Sequence, residues 1–243
     1  MRESKSLRKA KSMGAPKSKP PRTQSSTKSR TQSQHTRKPP RTQKTLRVIG
    51  GKHKGLKLYA PKSARPSKAI LKESCFDTLG SYIIGMHFIE AFSGSGSMGI
   101  EALSRGAKKA VFFEQNKEAL EVLRQNLALI SKHIDKSAPK QNPQNYQIIQ
   151  GDSLQNLPTF LATLTDSSIL YIDPPFFMRQ NYADIYEKCA NIIAHIHSRA
   201  LGLIIIEHSS LYAFKECLGC FSQVRIKRFG KSSLTYFAPK ELC

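Results

Sequence analysis

The sequence lacks tryptophan and long apolar runs, and it has few acidic residues. Its 17 Asp and Glu stand against 39 Lys and Arg, so the net charge is +22. This excess of positive charge favours a polyanionic partner. Nucleic acid is favoured over a membrane surface, because no basic amphipathic helix or apolar anchor indicates a membrane. No run is long enough for a transmembrane helix, and no hydrophobic signal core opens the chain. We therefore expect no membrane association.

Cysteine is also sparse, with five residues at scattered positions. An odd number in a chain large enough to form a core without disulfides is typical of a reducing compartment, so we predict a cytoplasmic protein. Cys217 and Cys220 form a CxxC pair, but a metal site usually needs a second well-spaced pair. The sequence therefore predicts reduced thiols and no metal.

Residues 1–44 contain no Phe, Tyr, Val or Ile. They hold 14 Lys and Arg but a single acid, Glu3, and they repeat KPPRTQ at 19–24 and 38–43. Such a segment buries too little apolar surface to offset its ordering entropy, so we predict a disordered basic tail. Two interpretations stay open: an arm that grips RNA, or a solvated extension without a target.

A globular pattern begins at Thr45. Residues 45–65 alternate around three glycines, which predicts a small β-hairpin with a basic turn, and residues 66–243 form the main domain. A helix capped by Ser67 opens that domain, and apolar strands then alternate with helices, which predicts a doubly wound α/β fold with a mostly parallel sheet. Two strands around Gly230 predict an antiparallel pair at its end. The predicted parallel strands are 87–92, 110–114, 146–150, 169–173 and 203–207.

Acidic residues recur where these strands end. Glu114, Asp152, Asp173 and Glu207 each lie at or just after a strand, and Glu90 lies within the first. In doubly wound folds ligands bind beyond the carboxyl ends of the strands. One such carboxylate could simply cap a helix, but four at the same edge favour a ligand crevice.

The loop after the first strand is rich in glycine. Gly94, Gly96 and Gly99 satisfy GxGxxG between a strand and a helix, and Glu114 follows Gly94 by 20 residues. This spacing predicts a tight turn that approaches an adenosine-containing ligand, with the carboxylate on its ribose. Asp152 could bind the adenine amino group. NAD and S-adenosylmethionine both satisfy these contacts.

The stretch LYIDPPFF, residues 170–177, favours S-adenosylmethionine over NAD. Methyl transfer to an exocyclic amino group needs a carboxylate and a carbonyl that orient a weakly nucleophilic nitrogen, and Asp173 with its neighbouring backbone can supply both. The two prolines stiffen the loop, and Phe176 offers a face for an unstacked base. The competing interpretation is an Asp-Pro turn that closes a strand, with Phe176 in the core.

Five segments in order resemble the RsmD family: RVIGGKHKGLKL, ARPSKAILKESCFDTL, FIEAFSGSGSMGIEALSRGA, FFEQN and IDPPF. The resemblance spans roughly residues 46–240. It implies a Rossmann-like class I methyltransferase that uses S-adenosylmethionine to methylate N2 of guanine 966 in 16S rRNA of the small ribosomal subunit. We also expect a monomer.

The resemblance further implies roles for individual residues. Those expected at the cofactor are Glu90, Ser93, Gly94, Ser95, Gly96, Glu114, Gln115, Asp152 and Ser153. Those expected at the target guanine are Asp173, Pro174, Pro175 and Phe176. Those expected at the RNA are Arg47, Lys52, His53, Lys54, Arg65 and Ser67. The chain departs from the family pattern at Glu90, where an aspartate is usual, at Ser67, where a threonine is usual, and at Lys72, where an arginine is usual.

Three rival functions remain at this point. The first is methylation of another amino group, such as adenine N6 in DNA. The second is an NAD-dependent oxidoreductase, which the glycine loop and Glu114 alone would also fit. The third is a non-catalytic RNA-binding assembly factor with a relic pocket.

Overall fold

The computed structural model describes residues 45–61, 69–133, 145–174 and 182–240. The predicted tail, 1–44, lies outside the described residues, as do the helix cap predicted at Ser67, Arg65 beside it, and Pro175 and Phe176. In the described part no helix has the length and apolar character needed to cross a membrane.

The described residues form ten strands, five α-helices and two 3-10 helices, at Gly51–His53 and Gly80–Ile83. The strands are β1 (Thr45–Arg47), β2 (Lys57–Tyr59), β3 (His87–Ala91), β4 (Lys109–Glu114), β5 (Tyr146–Gln150), β6 (Ser168–Ile172), β7 (Leu201–Ser209), β8 (Cys217–Leu218), β9 (Phe221–Phe229) and β10 (Ser232–Pro239). The helices are α1 (Ala69–Leu79), α2 (Ser97–Ser104), α3 (Lys117–His133), α4 (Ser153–Ala162) and α5 (Tyr182–Ala194).

Eight strands form one sheet in the order β5-β4-β3-β6-β7-β10-β9-β8. The pairs from β5 to β7 are parallel, and β10 and β9 add antiparallel neighbours. This confirms the predicted Rossmann-like sheet and its antiparallel end. Strand order reverses between β3 and β6, and ligands of such sheets bind at this switch point. We call the rim formed by the carboxyl ends of β3 to β7 the carboxyl edge.

Both faces of the sheet are covered, as expected from strands that are apolar throughout. On one face α1 packs through Leu71, Cys75 and Phe76 onto Phe88 of β3 and Tyr171 of β6. The other face carries α4 and α5, whose buried side chains contact β4, β6 and β7. The apolar side chains of α1 therefore form its buried face.

The N-terminal hairpin consists of β1 and β2, paired antiparallel and joined through a 3-10 turn at Gly51–His53. Val48 and Leu58 are fully buried in a cluster with Ile100 of α2, Phe112 of β4 and Leu123 of α3. The hairpin thus shares its core with the main domain rather than projecting from it.

Candidate active site

The switch point brings together the loops that follow β3 and β6. The Asp173 N–H donates to the Ala91 carbonyl at 3.5 Å, so the two strand ends lie side by side. The predicted strand 87–92 ends one residue early, because Phe92 turns into the left-handed region at φ 62°. For a bulky residue this conformation costs roughly 1–3 kcal/mol. The chain therefore leaves β3 in a sharp, strained turn at the predicted ligand site.

The glycine loop packs tightly against the protein at Gly96 and Gly99 and is open at Gly94. A Cβ on Gly96 would collide with Leu123, and one on Gly99 would collide with the Phe112 ring and lie 3.0 Å from the Glu90 Oε2 atom. A Cβ on Gly94 would meet no atom of the described residues within 4 Å. The loop can therefore receive a ligand at Gly94 while Gly96 and Gly99 let α2 sit against the sheet.

Glu90 lies under this loop and caps α2. Its carboxylate accepts from the Gly99 N–H at 2.8 Å and the Met98 N–H at 3.3 Å, and the residue is 4% exposed. Burial raises the pKa of Glu90 to about 8, although the two backbone donors oppose the shift. Ser93 donates to the Glu90 carbonyl at 2.7 Å. Glu90 thus supports the loop from inside the protein.

Glu114, at the end of β4, holds the same loop from the other side. Its Oε2 accepts from the Gly94 N–H at 2.6 Å and its Oε1 from the Asn116 N–H at 2.8 Å. Gln115 beside it is exposed. The carboxylate lies at the position where an adenosine ribose is expected in this fold.

Asp152 and Ser153 form the next part of the rim. Asp152 caps α4 by accepting from the Leu154 N–H at 2.8 Å, and the Ser153 hydroxyl accepts from the Phe92 N–H at 3.3 Å. The cofactor residues predicted from sequence are therefore brought to one edge, from β3 through β4 to the start of α4. Asp152 therefore does cap a helix, α4, which is the role that could account for a single acid at a strand end. Glu90 likewise accepts from N–H groups in the first turn of α2.

Asp173 lies at the centre of the carboxyl edge and is half-buried, next to the buried Pro174. Withdrawal from water, followed by the charges of Glu207 and Glu90, raises its pKa well above the usual range. A carboxylate so placed gains from any N–H donor that a ligand brings, because a hydrogen bond to the charged form offsets its poor hydration.

Glu207 is one of the four acids predicted at the crevice, but the sequence assigned it no specific contact. It follows Ile206, which pairs with Ile172, so Glu207 on β7 lies next to Asp173, the first residue after β6. The Tyr171 hydroxyl donates to the Glu207 Oε2 at 2.8 Å inside the protein. The strand alternation that identifies Asp173 also places Glu207 on the same face.

A second group missed from sequence ties the N-terminal hairpin to the glycine loop. We call Glu101, Ser104 and Asn126 the hairpin clamp. Glu101 is completely buried and accepts from the N–H groups of Ile49 and Gly50, each at 2.8 Å. Arg105 and Lys72 neutralise its charge at 2.9 and 3.5 Å.

The other two clamp residues are neutral. Ser104 accepts from the His53 N–H at 2.8 Å and donates to the Gly50 carbonyl. Asn126 pairs with both backbone groups of Tyr59 and also donates to the Ser95 carbonyl at 2.9 Å. Polar residues at buried positions of α2 and α3 were the only sequence signal for this clamp.

The residues predicted to contact RNA divide into three groups. Arg47, Lys52 and Lys54 are exposed on the hairpin. His53 is 2% exposed, so it lies inside the protein and not on its surface. Arg65 and Ser67 lie outside the described residues.

The described residues contain no group of three His, Cys, Asp or Glu side chains that could hold a metal. Cys217 is exposed on β8, whereas Cys75 and Cys189 are buried, and burial raises the pKa of each of these two thiols to about 12. Buried thiols of this kind are unreactive, in keeping with structural roles.

Known proteins that are similar to this chain indicate its family. The model of the family described as "Conserved hypothetical protein 95" matches residues 46–238. The Haemophilus influenzae "Ribosomal RNA small subunit methyltransferase D" is 32% identical over 154 residues, which cover 60% of this chain and 72% of that protein. The Bacillus subtilis "Putative rRNA methyltransferase YlbH" is 27% identical over 200 residues, covering 79% and 98% of the two chains.

A solved structure extends the likeness to the fold. The Escherichia coli protein described as "Putative methyltransferase yhhF" superposes with a TM-score of 0.63 at 25% identity, covering 81% of this chain and 99% of that one. The family model matches most of the chain, and the described part carries the glycine loop, the acids of the carboxyl edge and the Asp-Pro turn in the order of the pattern. The chain therefore belongs to the RsmD family of methyltransferases.

Proposed function

We propose that this protein transfers a methyl group from S-adenosylmethionine to the exocyclic N2 amino group of a guanine in 16S rRNA of the small ribosomal subunit, at position 966. The observation that carries the proposal is the position of Asp173. Asp173 is half-buried, and its backbone N–H donates to the carbonyl of Ala91, the last residue of β3, after which the glycine loop begins. A base held by Asp173 therefore adjoins a ligand held by that loop.

The residues present fit the cofactor. The open space at Gly94 allows close approach to the backbone, and Glu114 offers its carboxylate to the ribose hydroxyls. Asp152 and Ser153 stand where the adenine would lie, with Gln115 beside them. Glu90, Ser93, Ser95 and Gly96 would shape the part of the pocket for the methionine moiety. When bound, S-adenosylmethionine supplies a methyl group on a positively charged sulfur.

Asp173 would then orient the nucleophile. The amino nitrogen of guanine is weakly nucleophilic because its lone pair is delocalised into the base. A carboxylate that accepts one N–H hydrogen bond, together with a backbone carbonyl that accepts the other, aims the nitrogen at the methyl group. Pro174 restricts the turn that presents these acceptors, and Pro175 and Phe176 would complete the base pocket.

The substrate class follows from the relatives and from charge. The Haemophilus relative is named as a small-subunit rRNA methyltransferase. Arg47, Lys52 and Lys54 expose positive charge on the N-terminal hairpin, and Arg65 and Ser67 would flank the pocket. We propose that the protein acts in the cytoplasm, as a monomer and without a metal.

Methyl incorporation tests the proposal. Small subunits from cells that lack the gene are incubated with purified protein and labelled S-adenosylmethionine, and the modified base is located by primer extension. We expect label at one guanine of 16S rRNA, and none with Asp173→Ala. Label in duplex DNA alone, or thermal stabilisation by NAD but not by S-adenosylmethionine, would refute the proposal.

A further inference from the structure

The last two long strands carry a concentration of positive charge that the proposed site does not use. Between residues 217 and 240 the chain has five basic residues and no acidic one. Four of them lie on β9 and the turn that follows it. We call these four the β9 surface: Arg225, Lys227, Arg228 and Lys231.

The β9 surface is accessible and largely uncompensated. Arg225, Arg228 and Lys231 are exposed, and within the described part of the chain no salt bridge joins them to a carboxylate. Lys227 is half-buried, and its ammonium donates to the Ser74 hydroxyl of α1 at 3.2 Å. Elsewhere on the surface, lysines such as Lys108 and Lys188 do have acidic partners.

The sheet register places this surface close to the proposed catalytic carboxylate. Leu234 of β10 pairs with Glu207 on one side and with Lys227 on the other. Glu207 in turn is the neighbour of Asp173. Three strand spacings of about 4.8 Å therefore separate the backbones of Asp173 and Lys227, roughly 14 Å in all. A few nucleotides of single-stranded RNA span that distance.

The turn between β9 and β10 lies at the carboxyl edge. Ser232 pairs with Ser209, the last residue of β7, and the Ser210 N–H donates to the Lys231 carbonyl at 3.0 Å. Because β10 runs antiparallel to β7, this turn returns to the rim where the ligand loops meet. Lys231 and Arg228 therefore stand beside the crevice rather than at the far end of the sheet.

Position in the sheet also separates the β9 surface from the N-terminal hairpin. That hairpin is fixed to α2 and α3 and shares a core cluster with β4, on one side of the β3–β6 pair. The β9 strand lies on the other side of that pair. Positive charge thus flanks the Asp173 turn on both sides.

We infer that the β9 surface is a second RNA-binding surface, which holds phosphates of the substrate strand on the side of Asp173 opposite the N-terminal hairpin. The inference rests on the proposed function, since it takes the target base to lie at Asp173. Arg and Lys side chains bind phosphate through charge-assisted hydrogen bonds, and the base would stay free to enter the crevice.

Edge protection is the competing explanation. In the described residues β8 pairs only with Phe221 and Ser222, so most of β9 has an open side, and charged residues on such strands prevent pairing with other chains. Lysine is the residue most often used for that purpose. Edge protection does not explain a lysine in the turn itself, outside the strand, whereas a polyanionic partner does.

A matched pair of double variants tests the inference. Arg228→Ala/Lys231→Ala removes two charges of the β9 surface. Lys132→Ala/Arg199→Ala removes two exposed charges from the end of α3 and the start of β7, at the opposite edge. Binding of a 16S rRNA fragment that contains the target guanine is measured at several salt concentrations, together with the Kd for S-adenosylmethionine.

We expect Arg228→Ala/Lys231→Ala to bind RNA about tenfold more weakly. The slope of log Kd against log salt concentration should become shallower by about 1.4, because each of the two lost phosphate contacts contributes roughly 0.7. The control variant should keep the wild-type slope, and both should keep the cofactor Kd. Equal slopes for the two variants, or self-association of the first with unchanged RNA affinity, would overturn the inference. Failure of the wild-type protein to methylate rRNA would instead overturn the proposed function.

Discussion

Removing Glu101 should destabilise the protein more than any other change to the hairpin clamp. Glu101→Ala deletes the acceptor of the Ile49 and Gly50 N–H groups and leaves the buried Lys72 without its carboxylate partner. Burial already lowers the pKa of Lys72, and Glu101 is the main group that opposes this shift. The variant therefore leaves the Lys72 ammonium group with its hydrogen bond to the Arg47 carbonyl at 2.7 Å but without its ion-pair partner.

The size of the effect follows from known costs of broken buried pairs. Removing one partner of such a pair costs about 3–5 kcal/mol, because the other charge remains without compensation. In a domain of this size each kcal/mol lowers Tm by about 2–4 °C, so we expect a fall of about 6–20 °C. Ser104→Ala, which removes neutral hydrogen bonds from the same hairpin, should cost only about 1–3 kcal/mol.

Urea unfolding of a double-mutant cycle checks this account. Lys72→Met removes the ammonium group, so Glu101→Ala should cost less in that background, with a coupling energy of about 0.5–3 kcal/mol. Circular dichroism reports unfolding, and the cofactor Kd shows whether the folded variants keep the glycine loop. A loss below about 1 kcal/mol for Glu101→Ala, or strictly additive losses, would refute the reasoning.

Three further predictions concern the crevice. Asp173→Asn weakens the acceptor for the target amino group, so methyl incorporation should fall by roughly a hundredfold or more. Because the pKa of Asp173 is raised, the methylation rate of the wild type should increase with pH over a range above the usual aspartate pKa. The pKa of Glu90 rises from 4.5 to about 8, so between these pH values the folded protein retains a proton that the unfolded chain releases. The stability of the wild type relative to Glu90→Gln, measured by urea unfolding, should therefore fall between pH 4.5 and about 8 and then level off. Gly99→Ala forces a methyl group against Phe112 and the Glu90 carboxylate, and thermal unfolding should show a loss of about 1–3 kcal/mol.

Each of these has a result that contradicts it. Wild-type incorporation by Asp173→Asn would remove that carboxylate from the mechanism. A stability difference between wild type and Glu90→Gln that does not change with pH would mean that Glu90 titrates normally. A Gly99→Ala variant as stable as the parent would show that the packing between α2 and β4 adjusts without cost.

Much of the fold was predictable because its signals are local. Apolar strands that alternate with helices indicated the parallel sheet, and the run around Gly230 indicated the antiparallel pair. The ends of elements were less accurate: β7 runs to Ser209, past the predicted end at Glu207, because its pairing with β10 continues there. Strand pairing of this kind depends on a partner distant in sequence.

The sequence predicted the carboxylates of the candidate site but not the residues that hold the hairpin and the glycine loop in place. Glu114, Asp152 and Asp173 reach the carboxyl edge because strand direction alone places them there. The burial of His53 and the role of Asn126 depend on how the hairpin packs on α2 and α3, which no periodicity encodes. Among the residues predicted to contact RNA, therefore, Lys52 and Lys54 are exposed and His53 is buried.

The hairpin clamp has a consequence for protein engineering. The two short strands of the hairpin are anchored by side chains that belong to other elements, and one of those side chains also holds the backbone of Ser95. Transplanting residues 45–61 alone onto another methyltransferase would leave buried backbone groups without partners. A graft that brings Glu101, Ser104 and Asn126 along would move the hairpin together with the side chains that anchor it.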